Sequence, residues 1–232
     1  LNTMIKNNCF TLIFSSSAMV YKTNSMKPFK EIDELEPLNP YAFTKFTTEN
    51  ILSDLYKSKP NKWRIANLRY FNPVGAHESG ILGENPLRLS SNLFPSLIEC
   101  FRNKNKYFKI NGNDWPTFDG TCIRDFIHIM DLADAHIAAY EYIKEGKSKF
   151  KIFNIGTGYG TSILEIIKTF EIVNNQNIKY RYDKRRIGDV PYLVADATYA
   201  NEILNWKSKK NLDDICKDTW KWFNKNRKMN YI

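Results

Sequence analysis

Long apolar runs are missing from this sequence of 232 residues. No stretch approaches the roughly 18 consecutive apolar residues that a membrane-spanning helix requires. The opening segment, LNTMIKNNCFTLIFSSS, has neither a sustained hydrophobic region nor a signal-peptide cleavage site. These absences argue against a membrane-bound or secreted protein, so we expect a cytoplasmic location.

Cysteine and histidine are also scarce. The four cysteines, Cys9, Cys100, Cys122 and Cys216, form no C-x-x-C pair, and no histidine stands at ligand spacing from one of them. This pattern indicates neither a disulfide framework nor a zinc site, and we expect no bound metal. We interpret His128, which lies in an apolar segment, as a hydrogen-bonded core histidine.

Acidic residues are outnumbered by basic ones, at 25 against 34, which gives a formal net charge of +9. Such an excess can indicate a nucleic-acid partner when the basic residues form a patch. Here the lysines are dispersed along the whole chain. We therefore expect no nucleic-acid partner, and a basic protein that binds a diphosphate fits the charge.

Strand and helix signals alternate along the chain. Apolar, β-branched segments at 10–15, 64–72 and 123–127 predict strands, the first of them buried. Asn39 and Pro40 predict the N-cap and first residue of a helix. This alternation favours an α/β fold with a mainly parallel sheet. The loop-rich segment 77–91 is long enough to predict a ligand-covering loop.

The strongest chemical signal is a serine run followed by a tyrosine and a lysine. Ser15, Ser16 and Ser17 end the first predicted strand, and Tyr41 and Lys45 are four residues apart on the next predicted helix. A tyrosine with a pKa of about 10 is a poor base at neutral pH, and a nearby ammonium group stabilises its phenolate. The pattern therefore indicates a tyrosine that acts in proton transfer.

Six segments carry a family resemblance: SSSAMVY, NPYAFTK, LRYFNPVGAHESGILGE, FDGTCIRDFIHIMDLADAH, FNIGTGYGTS and RRIGDVP. With them the sequence resembles the extended short-chain dehydrogenase/reductase superfamily and, within it, the UDP-galactose 4-epimerase branch. The resemblance implies an α/β fold with an incomplete Rossmann-like parallel sheet, helices on both faces, and a smaller α/β substrate-binding domain. Residues 1–76 would belong to the Rossmann domain and 77–232 mainly to the UDP-sugar-binding domain, with elements near 124–156 returning to the sheet.

The resemblance also implies an NAD-dependent isomerase that interconverts UDP-glucose and UDP-galactose through a 4-keto intermediate, in galactose metabolism, as a homodimer when complete. Tyr41 would take the proton from the sugar O4, Lys45 would lower the tyrosine pKa, and Ser17 would hydrogen-bond O4. The implied cofactor-binding residues are Ser15, Tyr41, Lys45, Tyr70, Phe71 and Pro73.

Two arginines are candidates for clamping the diphosphate, since a guanidinium group can bind phosphate oxygens with two bonds. Arg124 lies in an otherwise apolar segment, where an unpaired charge is costly, so we expect a ligand or an ionic partner. Arg186 is the second candidate, whereas we interpret Arg185 as a solvated surface residue. The resemblance adds further substrate-binding positions: Asn72, Asn92, Leu93, Asn111, Asp189 and Leu193.

The sequence departs from the family pattern in several places. It has no G-x-x-G-x-x-G turn, which the family uses to bind the cofactor pyrophosphate. We therefore expect a fragment that lacks the usual amino-terminal NAD-binding segment and, alone, binds NAD weakly. Asn111 stands where the family usually has an aromatic residue near the uracil, and Leu193 stands at a position that lines the sugar pocket.

Two other functions remain open from the sequence. One is a truncated, non-catalytic paralogue that binds UDP-sugars or a partner chain. The other is a sugar-nucleotide dehydratase or decarboxylase of the same superfamily. Those enzymes usually carry an Asp-Glu pair beside the catalytic serine, whereas this sequence has Ala18 and Met19 there, which favours epimerisation.

Overall fold

The computed structural model describes residues 1–23, 25–59, 61–86, 92–103, 106–145 and 149–226. Helices and strands alternate through these residues, as the sequence predicts. The helices are α1 (Asn2–Lys6), α2 (Pro40–Ser58), α3 (Leu93–Arg102), α4 (Ile129–Lys144), α5 (Ile163–Asn174), α6 (Thr198–Leu204) and α7 (Leu212–Lys225). The strands are β1 (Thr11–Ser17), β2 (Arg64–Tyr70), β3 (Asn72–Val74), β4 (Phe108–Asn111), β5 (Ile123–Arg124), β6 (Phe126–His128), β7 (Lys149–Ile155), β8 (Thr161–Ser162), β9 (Tyr180–Asp183) and β10 (Tyr192–Leu193).

The longest strands form a parallel sheet in the order β1-β2-β7. Its register pairs Ser17 with Tyr70 and Tyr70 with Ile155, so the three strands end at the same edge. Ligands of open α/β sheets bind at this carboxyl edge. Because β1 pairs with only one strand among the described residues, the apolar part of β1 is half-buried and not fully buried as predicted.

Helix α2 begins where the sequence predicts. Asn39 is the N-cap, its side-chain oxygen accepts a hydrogen bond of 2.9 Å from the backbone N–H of Ala42, and Pro40 is the first helical residue. The Asn39 side chain gives a partner to one backbone N–H of the first helical turn, and Pro40 has no N–H that would need a partner. The helix start fixes where the next turn projects its side chains beside the end of β1.

The predicted single strand at 123–127 is wrong, because it is divided at Asp125. Strand β5 lies between β10 and β8, whereas β6 pairs with β3. The Asp125 carboxylate is fully buried and accepts hydrogen bonds from the backbone N–H groups of Thr157 at 2.8 Å, Gly158 at 3.0 Å and Ala195 at 3.2 Å. A buried carboxylate requires such donors, and the chain changes sheet where it meets them.

Two large apolar clusters support the molecule. One packs β2, β7, α4 and α6 together, and its members include Leu68, Ile143, Phe153 and Trp206. The other packs α3, α5, α7 and β4, with Leu97, Ile110, Phe170, Ile215 and Trp222 among its members. None of the helices within the described ranges combines the length and apolarity that a lipid-spanning segment needs.

Candidate active site

The serine run, the tyrosine and the lysine meet at the carboxyl end of β1. The Lys45 ammonium nitrogen donates a hydrogen bond of 2.8 Å to the backbone carbonyl of Ser15 and lies 5.6 Å from the centre of the Tyr41 ring. The two side chains therefore share one helix face, as their spacing predicts. Tyr41 is 55% exposed, which leaves its ring and hydroxyl accessible to a ligand.

Ser17 lies at the start of a short 3-10 helix, Ala18–Val20. It is buried, and its hydroxyl oxygen accepts a hydrogen bond of 3.2 Å from the backbone N–H of Met19. The hydroxyl hydrogen is still available for donation to another group, because a hydroxyl carries one donor and two acceptor sites.

A buried ion pair lies beneath these residues, and the sequence analysis did not identify it. Arg69 of β2 binds Glu49 of α2 through two bonds, of 2.6 Å and 3.0 Å, and Ser16 of β1 donates a hydrogen bond to the same carboxylate. Arg69 also donates to the hydroxyl oxygen of Tyr21 at 3.0 Å. Burial raises the pKa of Tyr21 to about 12, so this hydroxyl stays neutral. The network ties α2 to both strands.

The predicted cofactor-binding residues of the next segment occupy different surroundings. Tyr70 is half-buried at the end of β2, where its hydroxyl lies 2.8 Å from the Ser15 side-chain oxygen. Phe71 is buried in an apolar cluster with Ala18 and Leu193. Pro73 lines a neighbouring cavity.

That cavity has a volume of about 770 Å³ and lies between β3, α3, β4 and β5. It brings together most of the predicted substrate-binding residues. They are Asn72, Asn92, Leu93, Asn111, Arg124, Arg186 and Asp189. Leu193 does not line it, because its side chain is 3% exposed and packs against the cluster that contains Phe71.

Arg124 has the ionic partner that its apolar strand predicts. Its guanidinium lies 3.6 Å from the Asp189 carboxylate and donates a hydrogen bond of 2.9 Å to the backbone carbonyl of Ile123. Its side chain is only 12% exposed, so its charge acts on the cavity in a partly desolvated environment.

Further cations around the cavity were missed by the sequence analysis. Lys106, Lys109 and Arg181 also line it, and Lys109 lies 3.1 Å from Asp183. Lysines and arginines on or beside short exposed strands give no sequence signal that separates them from ordinary surface residues. Together with Arg124, they give the cavity a positive field that suits an anionic ligand.

Arg185 has protein partners of its own. Its side chain is held by Asp114 at 2.7 Å and lies over the Trp115 ring at 4.1 Å. It is absent from the cavity lining. The predicted ligand-covering loop 77–91 is described to residue 86, where Glu84 accepts a hydrogen bond of 3.1 Å from Asn92 at the cavity; residues 87–91 lie outside the described ranges.

Comparison with known proteins identifies the family. Residues 1–156 match the NAD dependent epimerase/dehydratase family, and the chain belongs to that family. It is 42% identical to the bifunctional UDP-glucose 4-epimerase and UDP-xylose 4-epimerase 3 of Arabidopsis thaliana, over 97% of this chain and 64% of that protein. It is 41% identical to the UDP-glucose 4-epimerase of Drosophila melanogaster, over 97% of this chain and 65% of the relative.

Solved structures give the same assignment of fold. A UDP-glucose-4-epimerase from Stenotrophomonas maltophila, with bound NAD and formylated UDP-arabinopyranose, is 38% identical and superimposes with a TM-score of 0.93, over 97% of this chain and 67% of that one. A UDP-glucose 4-epimerase from Bifidobacterium longum in complex with NAD+ and UDP is 40% identical with a TM-score of 0.91, at the same coverages. The fold is therefore Rossmann-like α/β, and the chain spans slightly less than two thirds of the two relatives named above.

Proposed function

We propose that this chain is the part of an NAD-dependent UDP-hexose 4-epimerase that carries the catalytic tyrosine and lysine and most of the sugar-nucleotide site. The observation that carries the proposal is the position of Lys45, which contacts the Ser15 carbonyl and the Tyr41 ring at the carboxyl edge of the parallel sheet. The proposed substrates are UDP-glucose and UDP-galactose, which the names of the relatives suggest.

In this proposal Tyr41 accepts the proton of the sugar O4 hydroxyl and later returns it. Lys45 favours the phenolate form of Tyr41, because an ammonium group near a phenol lowers the cost of its ionisation. Ser17 holds the same sugar oxygen by a hydrogen bond. Arg124 and Arg186 bind the diphosphate, while Asn72, Asn92, Leu93, Asn111 and Asp189 contact other parts of the nucleotide.

The residues at the sheet edge fit the nicotinamide end of NAD. Tyr41 and Ser15 are exposed there, and Lys45 lies beside both, so a ribose hydroxyl and an amide would find donors and acceptors. When bound, NAD supplies a hydride acceptor that later returns the hydride to the sugar. Ser15, Tyr41, Lys45, Tyr70, Phe71 and Pro73 are the proposed cofactor-binding residues of this chain.

Other features of the assembled protein are also proposals. We propose that residues 1–76 belong to the cofactor domain and 77–232 mainly to the substrate domain, with elements near 124–156 returning to the sheet of the cofactor domain. The parallel pairing of β7 with β2 supports this return. We also propose a homodimer in the cytoplasm; the exposed apolar side chains Phe43 and Ile51 of α2 support an interface on that helix.

The test is an interconversion assay. The chain would be joined to the glycine-rich amino-terminal segment of a family relative, supplied with NAD, and incubated with UDP-galactose. We expect UDP-glucose to form, and we expect the Lys45→Ala variant to form much less. Absence of conversion, with UDP binding retained, would favour a non-catalytic UDP-sugar-binding protein.

A further inference from the structure

A line of hydrogen-bonding side chains runs from the proposed active site into the protein. Ser15 of β1 is exposed at the site, and its side-chain oxygen lies 2.8 Å from the hydroxyl of Tyr70 on β2. The same Tyr70 hydroxyl is hydrogen-bonded to Nε2 of His136 on α4. The imidazole Nδ1 lies 2.8 Å from the backbone carbonyl of Leu132. We call Ser15, Tyr70 and His136 the relay.

The carbonyl of Leu132 determines the tautomer of the imidazole. A carbonyl can only accept, so Nδ1 must carry a hydrogen and donate it. In the neutral imidazole Nε2 is then a bare acceptor, and the Tyr70 hydroxyl donates to it. Since Tyr70 has a single hydrogen, the Ser15 hydroxyl must donate to Tyr70. In this state Ser15 presents only lone pairs to the site.

Protonation of His136 reverses every bond in the relay. The added proton sits on Nε2, which now donates to the Tyr70 oxygen. Tyr70 turns its hydrogen towards Ser15. The Ser15 hydroxyl keeps its hydrogen and can now donate it as a hydrogen bond to a group in the site. One proton has been added at Nε2 and each hydroxyl still has one hydrogen, so the count is balanced.

We propose that Tyr70 and His136 are positioning residues that decide, through the protonation state of His136, whether Ser15 accepts or donates a hydrogen bond at the active site. The inference rests on the proposed function, because it takes Ser15 to face the cofactor. It gives the site a hydrogen-bond polarity that is set by the charge on the His136 imidazole.

Two further observations fit this role. Burial raises the pKa of Tyr70, which is lowered again in part by its bond to Ser15, so Tyr70 keeps its hydrogen at neutral pH. A negative charge on Tyr41 would also raise the pKa of Tyr70. On the carboxyl side of Ser15, the Lys45 ammonium is bound to the backbone carbonyl of the same residue.

Other titratable groups surround α4. Strand β1, which packs against α4, has no titratable side chain. The titratable side chains of α4 itself, apart from His136, are Asp131, Asp134, Tyr140, Glu141, Tyr142 and Lys144. The elements that pack against α4 carry Arg64, Arg69 and Tyr70 on β2, His128 on β6, Lys149 and Lys151 on β7, and Tyr199 and Glu202 on α6. Asp134 is already paired with Lys209, at 3.8 Å.

The experiment is a pH titration of the imidazole nitrogens by NMR in the 232-residue chain labelled with ¹⁵N-histidine. The three histidine signals are assigned with the His77→Gln and His136→Gln variants. We expect the neutral form of His136 to carry its hydrogen on Nδ1. We expect Tyr70→Phe to lower the titration midpoint of His136 by about one pH unit, a common size of environmental shift, because the charge-assisted bond of the cation is lost.

The control is Tyr140→Phe, which removes an exposed hydroxyl from the same helix and should leave the His136 midpoint unchanged. If Tyr70→Phe does not fold, Ser15→Ala takes its place, because it alters an exposed side chain and should lower the midpoint by a smaller amount. A neutral form with the hydrogen on Nε2, or a midpoint that is the same in all foldable relay variants, would overturn the proposal. The tautomer and the midpoint are both measured without turnover. An inactive joined enzyme would therefore refute the proposed function, whereas the relay is tested by the NMR data alone.

Discussion

At the scale of single residues, the four-residue spacing of Tyr41 and Lys45 is the feature on which the proposed chemistry most depends. A helix places such residues on one face, and the serine run at the end of β1 gives that face a partner. Lys45 donates its hydrogen bond to the Ser15 carbonyl, which is a neutral acceptor. Its positive charge therefore remains available to the phenol and to a bound ribose.

Replacement of the proposed base gives the first prediction. In the joined enzyme, Tyr41→Phe should lower the turnover of UDP-galactose by about 10²- to 10⁴-fold, the usual contribution of a general acid-base group. The ring and its exposed position are kept, so affinity for UDP should not change. A kcat that falls less than tenfold would show that another group accepts the proton.

The two arginines of the cavity give the second prediction. Arg124→Ala and Arg186→Ala should each weaken the binding of UDP to this chain by roughly 1.5–3 kcal/mol, the contribution of a hydrogen bond to a charged group. Isothermal titration calorimetry measures the effect. Arg185→Ala is the matched control, because that side chain is bound to Asp114 and Trp115 and does not line the cavity.

Equal loss in the Arg185 variant would mean that UDP responds to net charge alone. Unchanged affinity in both Arg124→Ala and Arg186→Ala would place the diphosphate elsewhere.

The same residue-level reasoning succeeded at Arg124 and was not applied at Arg69. Both are arginines inside apolar segments, CIRDFIHI and RIANLRY, where a charge needs a partner. Arg69 proved to be fully buried and bound to Glu49, which lies one turn beyond Lys45. The sequence thus contained the signal for the buried charge, but its partner could be recognised only once α2 and β2 were placed side by side.

At the scale of secondary-structure elements, the Glu49–Arg69 pair sets the position of α2 relative to β1 and β2. A third prediction follows from its burial. Glu49→Ala should lower the free energy of unfolding by about 3–5 kcal/mol, because it leaves a buried guanidinium without its carboxylate. Urea denaturation followed by circular dichroism measures this loss.

Glu34→Ala serves as the comparison for that experiment. Glu34 pairs with Lys22 on the surface at 3.1 Å, and surface pairs contribute little to stability. If the two variants lost similar stability, the buried pair would not be what holds α2 in place.

Elements with local signals were predicted better than those fixed by distant contacts. Asn39 and Pro40 lie at the start of α2 itself, so the signal for that boundary is local, and the predicted boundary was correct. The division between β5 and β6 depends on Asp125 meeting the backbone N–H groups of Thr157 and Ala195, which lie 32 and 70 residues away. No pattern within CIRDFIHI contains that information, and the segment therefore resembled one continuous strand.

The candidate site shows the same limit. Asp189 and Asn72 were assigned through the family resemblance and Arg124 through its charge in an apolar segment, and the cavity brings them together. Lys109 and Arg181 line the same cavity without any motif, because their position depends on how β4 and β9 pair. The assignment of Leu193 to the sugar pocket stays a prediction; its buried side chain lies in the apolar cluster that contains Phe71.

At the scale of the whole molecule, His128 connects the two large apolar clusters. Its Nδ1 accepts a hydrogen bond of 3.1 Å from the backbone N–H of Met130 and so caps α4, which belongs to the first cluster. Its Nε2 lies 3.3 Å from the carboxylate of Asp218 on α7, which packs in the second. This supports the interpretation of His128 as a core histidine.

The last prediction concerns stability against pH. Burial lowers the pKa of His128, and the opposing effect of Asp218 does not restore it. In the unfolded chain the same histidine titrates at about pH 6.5. Between these two pKa values the unfolded chain binds more protons than the folded one, so the free energy of unfolding rises with pH in that window and falls as pH decreases below about 6.5.

His128→Asn keeps a good N-cap for α4 but cannot titrate. We therefore expect the variant to be less stable than the unmodified chain at pH 7.5 because of the smaller side chain, but to lose less stability between pH 7 and pH 5.5. Urea denaturation across that range measures both slopes, with His77→Asn as a control that should follow the unmodified chain. Parallel curves for the chain and its His128→Asn variant would show that His128 becomes protonated in the folded state as easily as in the unfolded one.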